Sequence, residues 1–217
     1  RLASEGRFHV ITGGPGTGKT TRVAGILAEL LAQDRNLRIA LAAPTGKAAT
    51  RMGEAIEKAW AREKQEHLRE LVPPVGTTLH RLLKYLPFDD TFRRNGNDPL
   101  EHDVVIVDEA SMVPLLLMDA LFGALRPTAR LYLLGDHDQL ASVEAGSVLA
   151  DIVKAADDGA LSGCLTRLTK SHRFDDSRGI GALARAIRDG DADAAIAALT
   201  SGDATLSWSV QDPRDES

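Results

Sequence analysis

Residues 13–20 read GGPGTGKT and match the spacing G-x-x-x-x-G-K-[ST], with Gly13, Gly18, Lys19 and Thr20 at the fixed positions. Gly14, Pro15, Gly16 and Thr17 lie between them and Thr21 follows. Glycines let successive backbone N–H groups turn inward onto phosphate oxygens, and a following helix adds the positive end of its dipole. In such a loop the lysine reaches the β- and γ-phosphates and the hydroxyl of the Ser/Thr ligates Mg²⁺. The bland alternative is a glycine turn between strand and helix. The flanks argue against it: the apolar run FHVIT precedes the loop and an amphipathic segment follows it.

Three further clusters can do chemistry on a bound nucleotide. VVIVDEAS (104–111) puts Asp108 at the end of an apolar run, where it can hold Mg²⁺ through the ion's water shell, and Glu109 beside it, where it can polarise an attacking water. LLGDHDQLASVEAG (133–146) brings Gln139 three residues after Asp136. Gln139 both donates and accepts hydrogen bonds, so it can touch the γ-phosphate or the water and report which nucleotide is bound. LTKSHRF (168–174) carries Lys170, His172 and Arg173. An arginine at a γ-phosphate stabilises transition-state charge, but a lone Arg or His is more often a surface residue.

These residues need elements to position them. The apolar stretches 8–12, 37–44, 104–108, 129–136 and 165–169 read as buried strands without polar alternation. Between them, 19–31, 45–63, 114–125 and 180–190 read as helices, with Pro114 in a first turn and Gly190 at an end. TTLHRLLKYL (77–86) predicts a short helix capped by Thr78, and 87–103 a turn-rich excursion with a hairpin around Asn95-Gly96. Strands alternating with helices predict a doubly wound α/β fold of the phosphate-loop, RecA-like type, its sheet mostly parallel with helices on both faces. Residues 1–190 are assigned to that domain, and 191–217 to a tail of one helix and one strand with a disordered end.

Composition narrows the class. The chain has 217 residues, 43% hydrophobic and 4% aromatic, so its core is built from Leu, Ala, Val and Ile. The net charge of -5 excludes a strongly basic nucleic-acid binder while allowing a local basic groove. The single cysteine, Cys164, cannot form an internal disulfide, which suits the cytoplasm. No run of 18 apolar residues predicts a membrane span or a membrane partner.

Taken in order, GGPGTGKTT, APTGKAA, TTLHRLL, VVIVDEASMV, LLGDHDQLASVEAGSVL and LTKSHRF resemble the superfamily 1 DNA helicases, and within them the motor subunits of recombination and repair helicase–nucleases. The likeness covers most of residues 8–190. It implies ATP and Mg²⁺ as cofactors, single-stranded DNA as track, 5′ to 3′ movement as in the B-type members, and helicase or nuclease subunits as partners. It assigns ATP-Mg²⁺ to Lys19 and Thr20, the metal and the catalytic base to Asp108 and Glu109, coupling of γ-phosphate to DNA to Gln139, and a γ-phosphate contact to Arg173. By the same likeness Thr45, Lys47, Thr78 and His80 lie near the DNA, with contacts mostly to its backbone.

The chain departs from that pattern in two places. The family's adenine motif before the first strand and its second RecA-like domain have no counterpart here, so the chain is expected to be the first motor domain of a larger protein. Two rivals remain. A small-molecule kinase needs an acceptor-binding lid with clustered arginines and has no use for GDHDQLASVEAG; a structural ATP-binding subunit needs no hydrolytic residues. A GTPase is disfavoured because no N-K-x-D segment occurs.

Overall fold

The computed structural model describes residues 6–139, 148–161, 163–170 and 179–208. They form two compact units, Arg1–Gly14 with Gly18–Thr169, and Pro15–Thr17 with Lys170–Ser217.

The first unit is built on a parallel sheet of six strands: β1 (Phe8–Gly13), β2 (Ile39–Ala43), β3 (Thr77–Thr78), β6 (Val104–Val107), β7 (Arg130–Gly135) and β8 (Leu165–Leu168), in the spatial order β3-β2-β6-β7-β1-β8. A two-residue antiparallel pair, β4 (Tyr85–Leu86) with β5 (Thr91–Phe92), stands apart from it. The period-2 alternation of each strand divides the core into two layers. Val10, Ala40, Ala42, Val105, Val107, Leu131 and Leu133 face α3 (Leu79–Leu82), α4 (Leu115–Ala124) and α5 (Val148–Asp157). Ile11, Ile39, Leu41, Val104, Ile106 and Leu134 face α1 (Lys19–Gln33) and α2 (Gly46–Arg62). All four residues of β6 are fully buried, which is why VVIV shows no polar alternation. Trp60 is the bulkiest wholly buried side chain, and its indole N–H donates to Ala24 O at 3.0 Å, tying α2 to α1. Truncating such a residue to Ala typically costs about 3–5 kcal/mol. Cys164 is buried in the first layer.

The doubly wound fold is as expected, with local differences. The hairpin turns at 87–90, not at Asn95-Gly96. Asn95 instead closes its own turn, its Oδ1 accepting the N–H of Asn97 at 2.9 Å and of Asp98 at 3.3 Å; an Asx turn uses the asparagine without strands on either side. Helix α5 was not among the predicted elements, although Leu149, Ile152 and Val153 carry its helical spacing. In the second unit, α6 (Gly179–Arg188) and α7 (Ala192–Leu199) pack together. Gly190, at φ 70°, ends the first, and the Asp191 carboxylate caps the second by accepting Ala194 N–H at 2.9 Å. The strand expected in the tail is not found among the described residues, where 201–208 form turns and irregular chain. No helix among the described residues is long and apolar enough to cross a membrane.

Candidate functional site

Every strand of a parallel sheet ends at the same edge, so residues that follow different strands are collected there. The phosphate loop follows β1, Thr45 and Lys47 follow β2, Thr78 and His80 come at and after β3, Asp108 and Glu109 follow β6, and Gln139 follows β7.

At the phosphate loop, Gly18 takes a left-handed φ of 86° as the N-cap of α1, a conformation that strains any side chain. Lys19 Nζ donates to Gly13 O at 2.6 Å and Gly14 O at 3.1 Å, so the ammonium is held over the start of its own loop. Thr20 lies half-buried in the first turn of α1 and Thr21 is exposed; Thr17 is buried and Pro15 exposed.

Asp108 is mostly buried, and its carboxyl pKa is raised. Burial is the first cause and the Glu109 charge adds to it; the Glu109 N–H, donated to Oδ1 at 2.9 Å, and the Lys19 ammonium act the other way. A carboxylate desolvated beside a second carboxylate would be relieved by a cation, and Thr20 lies in the first turn of α1. Glu109 has φ 51° and ψ 39°, a left-handed conformation for a residue with a Cβ, and it opens the 3₁₀ turn Ala110–Met112. Such backbone costs about 1–3 kcal/mol and collects at functional turns.

Gln139 is carried on a tight turn: its N–H donates to Asp136 O at 3.2 Å, and Asp138 N–H donates to Asp136 Oδ1 at 3.2 Å. Its Oε1 accepts the buried Ser111 hydroxyl at 3.4 Å, joining this turn to the one after Glu109. The approach requires Gly135. A Cβ there would collide with Leu149 Cδ2 and come within 3.0 Å of Ser111 N.

The positions assigned to DNA have structural roles of their own. Thr45 caps α2 by accepting Ala48 N–H at 3.3 Å, and Thr78 caps α3 by accepting Arg81 N–H at 3.3 Å; a cap of this kind is worth about 1 kcal/mol. Lys47 is exposed. His80, also exposed, packs edge-on against Tyr85 at 5.4 Å and against Phe92 at 6.0 Å, so the hairpin rests on it. Arg173 and His172 lie outside the described residues, as do 140–147 of the GDHDQLASVEAG stretch.

The motif reading did not single out Thr12 and Ser111, which neighbour the motifs and are buried polar residues of this edge. A cleft of about 650 Å³ lies elsewhere, lined by Arg38, Glu70, Pro74, Arg81 and His102, and none of the assigned residues borders it.

Known proteins resemble the chain in sequence and in fold. A family model described as an AAA domain matches residues 1–145. The RecBCD enzyme subunit RecD of Mycolicibacterium smegmatis is 51% identical over 100% of this chain and 39% of its own length. The ATP-dependent RecD2 DNA helicase of Deinococcus radiodurans is 41% identical over 69% of the chain and 18% of its own length. The crystal structure of the Pif1 helicase from Candida albicans superposes with a TM-score of 0.55 at 21% identity, covering 98% of this chain and 47% of that one, which speaks to the fold. The chain thus spans less than half the length of these proteins; it belongs to the AAA-domain family, with RecD and RecD2 proteins as its relatives.

Proposed function

We propose that the chain is the phosphate-binding part of an ATP-driven motor that steps 5′ to 3′ along single-stranded DNA, within a RecBCD-like repair and recombination helicase–nuclease. The motor domain is read as residues 1–190, with 191–217 leading out of it. The observation that carries this reading is the gathering of Lys19, Asp108, Glu109 and Gln139 at one sheet edge, with Thr45 and Thr78 at the ends of the adjoining strands.

ATP phosphates are held by the backbone of residues 13–18 and by Lys19, which exchanges its bonds to Gly13 O and Gly14 O for phosphate oxygens. Asp108 and Thr20 would hold Mg²⁺, which would supply neutralisation of the phosphate charge. Glu109 accepts a proton from the attacking water, its backbone taking the left-handed conformation that opens the 3₁₀ turn. Gln139 senses the γ-phosphate, and Arg173 neutralises charge there as turnover proceeds. Thr45, Lys47, Thr78 and His80 lie along the DNA, whose backbone they would contact without reading sequence. The kinase alternative is disfavoured because a small-molecule kinase has no use for the turn carrying Gln139, which here is bonded through Ser111 to the segment that follows Glu109.

The experiment compares ATP turnover, with and without single-stranded DNA, in residues 1–217 and in the full-length protein, with Lys19→Ala of each as control. The full-length protein is expected to show DNA-stimulated phosphate release that Lys19→Ala abolishes while the fold survives. The isolated piece is expected to be at least a hundredfold slower and unable to unwind duplex. Full-length turnover indifferent to DNA, or transfer of phosphate to a small molecule, overturns the reading.

A further inference from the structure

Thr12 is the last residue before the phosphate loop and is wholly buried. A buried hydroxyl requires partners, and those of Thr12 lie 125 residues away. Its Oγ1 accepts the backbone N–H of His137 at 3.2 Å and lies 2.8 Å from Nδ1 of the same residue. The other ring nitrogen, Nε2, lies 3.3 Å from Asp138 Oδ1. One assignment of hydrogens satisfies every group: Nε2 carries the ring proton and donates it to Asp138, Nδ1 is bare, and the Thr12 hydroxyl donates to it while accepting the His137 N–H. Asp136, His137 and Asp138 bring their ligand atoms within 4.8 Å of one another. Both ring nitrogens are nevertheless committed to protein partners, so the cluster reads as a fastening, not a metal seat.

The fastening joins the strand that leads into the phosphate loop to the turn that carries Gln139. β1 and β7 are neighbours with Thr12 paired to Gly135, so the turn 136–139 rises directly beside the phosphate loop. One side of that turn is held to β1 through His137, and the other is held through Gln139 to Ser111. We propose that Thr12 and His137 are positioning residues, a latch through which the phosphate loop sets the place of Gln139. This inference rests on the motor reading above. A γ-phosphate that shifts the loop at Gly13 moves the Thr12 hydroxyl, and the turn carrying Gln139 follows.

The test uses the full-length protein. Thr12→Val keeps the shape and removes both hydrogen bonds, Thr12→Ser restores the hydroxyl, and His137→Ala removes the ring. Thr12→Val is expected to lower DNA-stimulated kcat at least fivefold with KM for ATP changed less than twofold, and Thr12→Ser to recover kcat to within twofold. Thr12→Val/His137→Ala is expected to be no slower than the slower single variant, as for residues acting through one contact. Amide exchange supplies a readout independent of turnover: the His137 N–H should lose protection in Thr12→Val and regain it in Thr12→Ser. Unchanged exchange at His137, fully additive losses, or a valine variant with normal kcat overturns the latch. Absence of DNA stimulation in the wild type sinks the motor reading instead, and the exchange measurement then still decides whether the latch exists.

Discussion

Two aspartates at opposite ends of the sheet are held in opposite ways. At the amino end, Asp103 lies just before β6 and gathers three elements. Its Oδ2 accepts the backbone N–H of Arg38 at 2.9 Å and the Arg38 guanidinium at 3.2 Å, while its Oδ1 takes the Arg126 guanidinium at 2.6 Å. Burial pushes this carboxyl up, but these donors outweigh it and hold the pKa at about 2. At the carboxyl end, Asp108 is mostly buried, has one backbone donor and a carboxylate neighbour, and its pKa is raised. Asp103 is held charged by the protein's own donors, whereas Asp108 stands desolvated beside a like charge, an arrangement that a bound cation would relieve.

The comparison breaks first at Glu109. Glu109→Gln keeps the size of the side chain but removes the base. In the full-length protein it should bind ATP normally and lose about 10²–10⁴ in turnover, with no fall in melting temperature. Steady-state phosphate release near the wild-type rate would show that Glu109 is not the base.

The amino end is tested by Asp103→Asn. The expected loss is about 1–2 kcal/mol of stability, because the ion pairs are partly exposed and screened, with ATP affinity unchanged. The sign with pH is fixed. A carboxyl depressed from 3.8 to about 2 contributes stability that is fully present above its unfolded value and is lost as pH falls from 3.8 towards 2. Denaturant unfolding should therefore show the difference between wild type and Asp103→Asn shrinking over that window; a difference constant with pH would locate the stabilisation elsewhere.

The smallest effect on stability, and the one that sharpens the contrast, is at Asp108. Asp108→Asn retains an acceptor for the Glu109 N–H and removes a buried charge. Without nucleotide or metal it should raise the melting temperature slightly while abolishing metal-dependent turnover. A group whose folded pKa is raised contributes stability that fades as pH rises through that pKa, so the wild type should lose stability there and the Asn variant should not. Calorimetry across pH checks both, and a lower melting temperature for Asp108→Asn would mean that the carboxylate is already satisfied.

Much of this molecule was legible in its residues because local physics wrote it there. Gly18 marks a left-handed backbone turn, VVIV a strand covered on both faces, and Thr45 and Thr78 the starts of helices, each at a place where neighbours in sequence suffice to specify the structure. The motifs placed Lys19, Asp108, Glu109 and Gln139 at strand ends, and a parallel sheet then requires that they share an edge. Asn95-Gly96 misled because the same dipeptide chemistry serves an Asx turn and a hairpin, and only the pairing of Tyr85 with Phe92 chose between them.

What the residues alone determined is therefore the class of fold and the place of the glycine-rich loop between β1 and α1. Tertiary structure decided which polar groups meet across long separations. Asp103 finds Arg38 and Arg126 because β2, β6 and β7 start in register, with Ile39 opposite Val104 and Val104 opposite Arg130. Thr12 finds His137 because β1 and β7 end in register. No local propensity encodes those meetings. They follow from the stacking order of parallel strands, which the burial of two apolar faces sets only when the whole domain has closed.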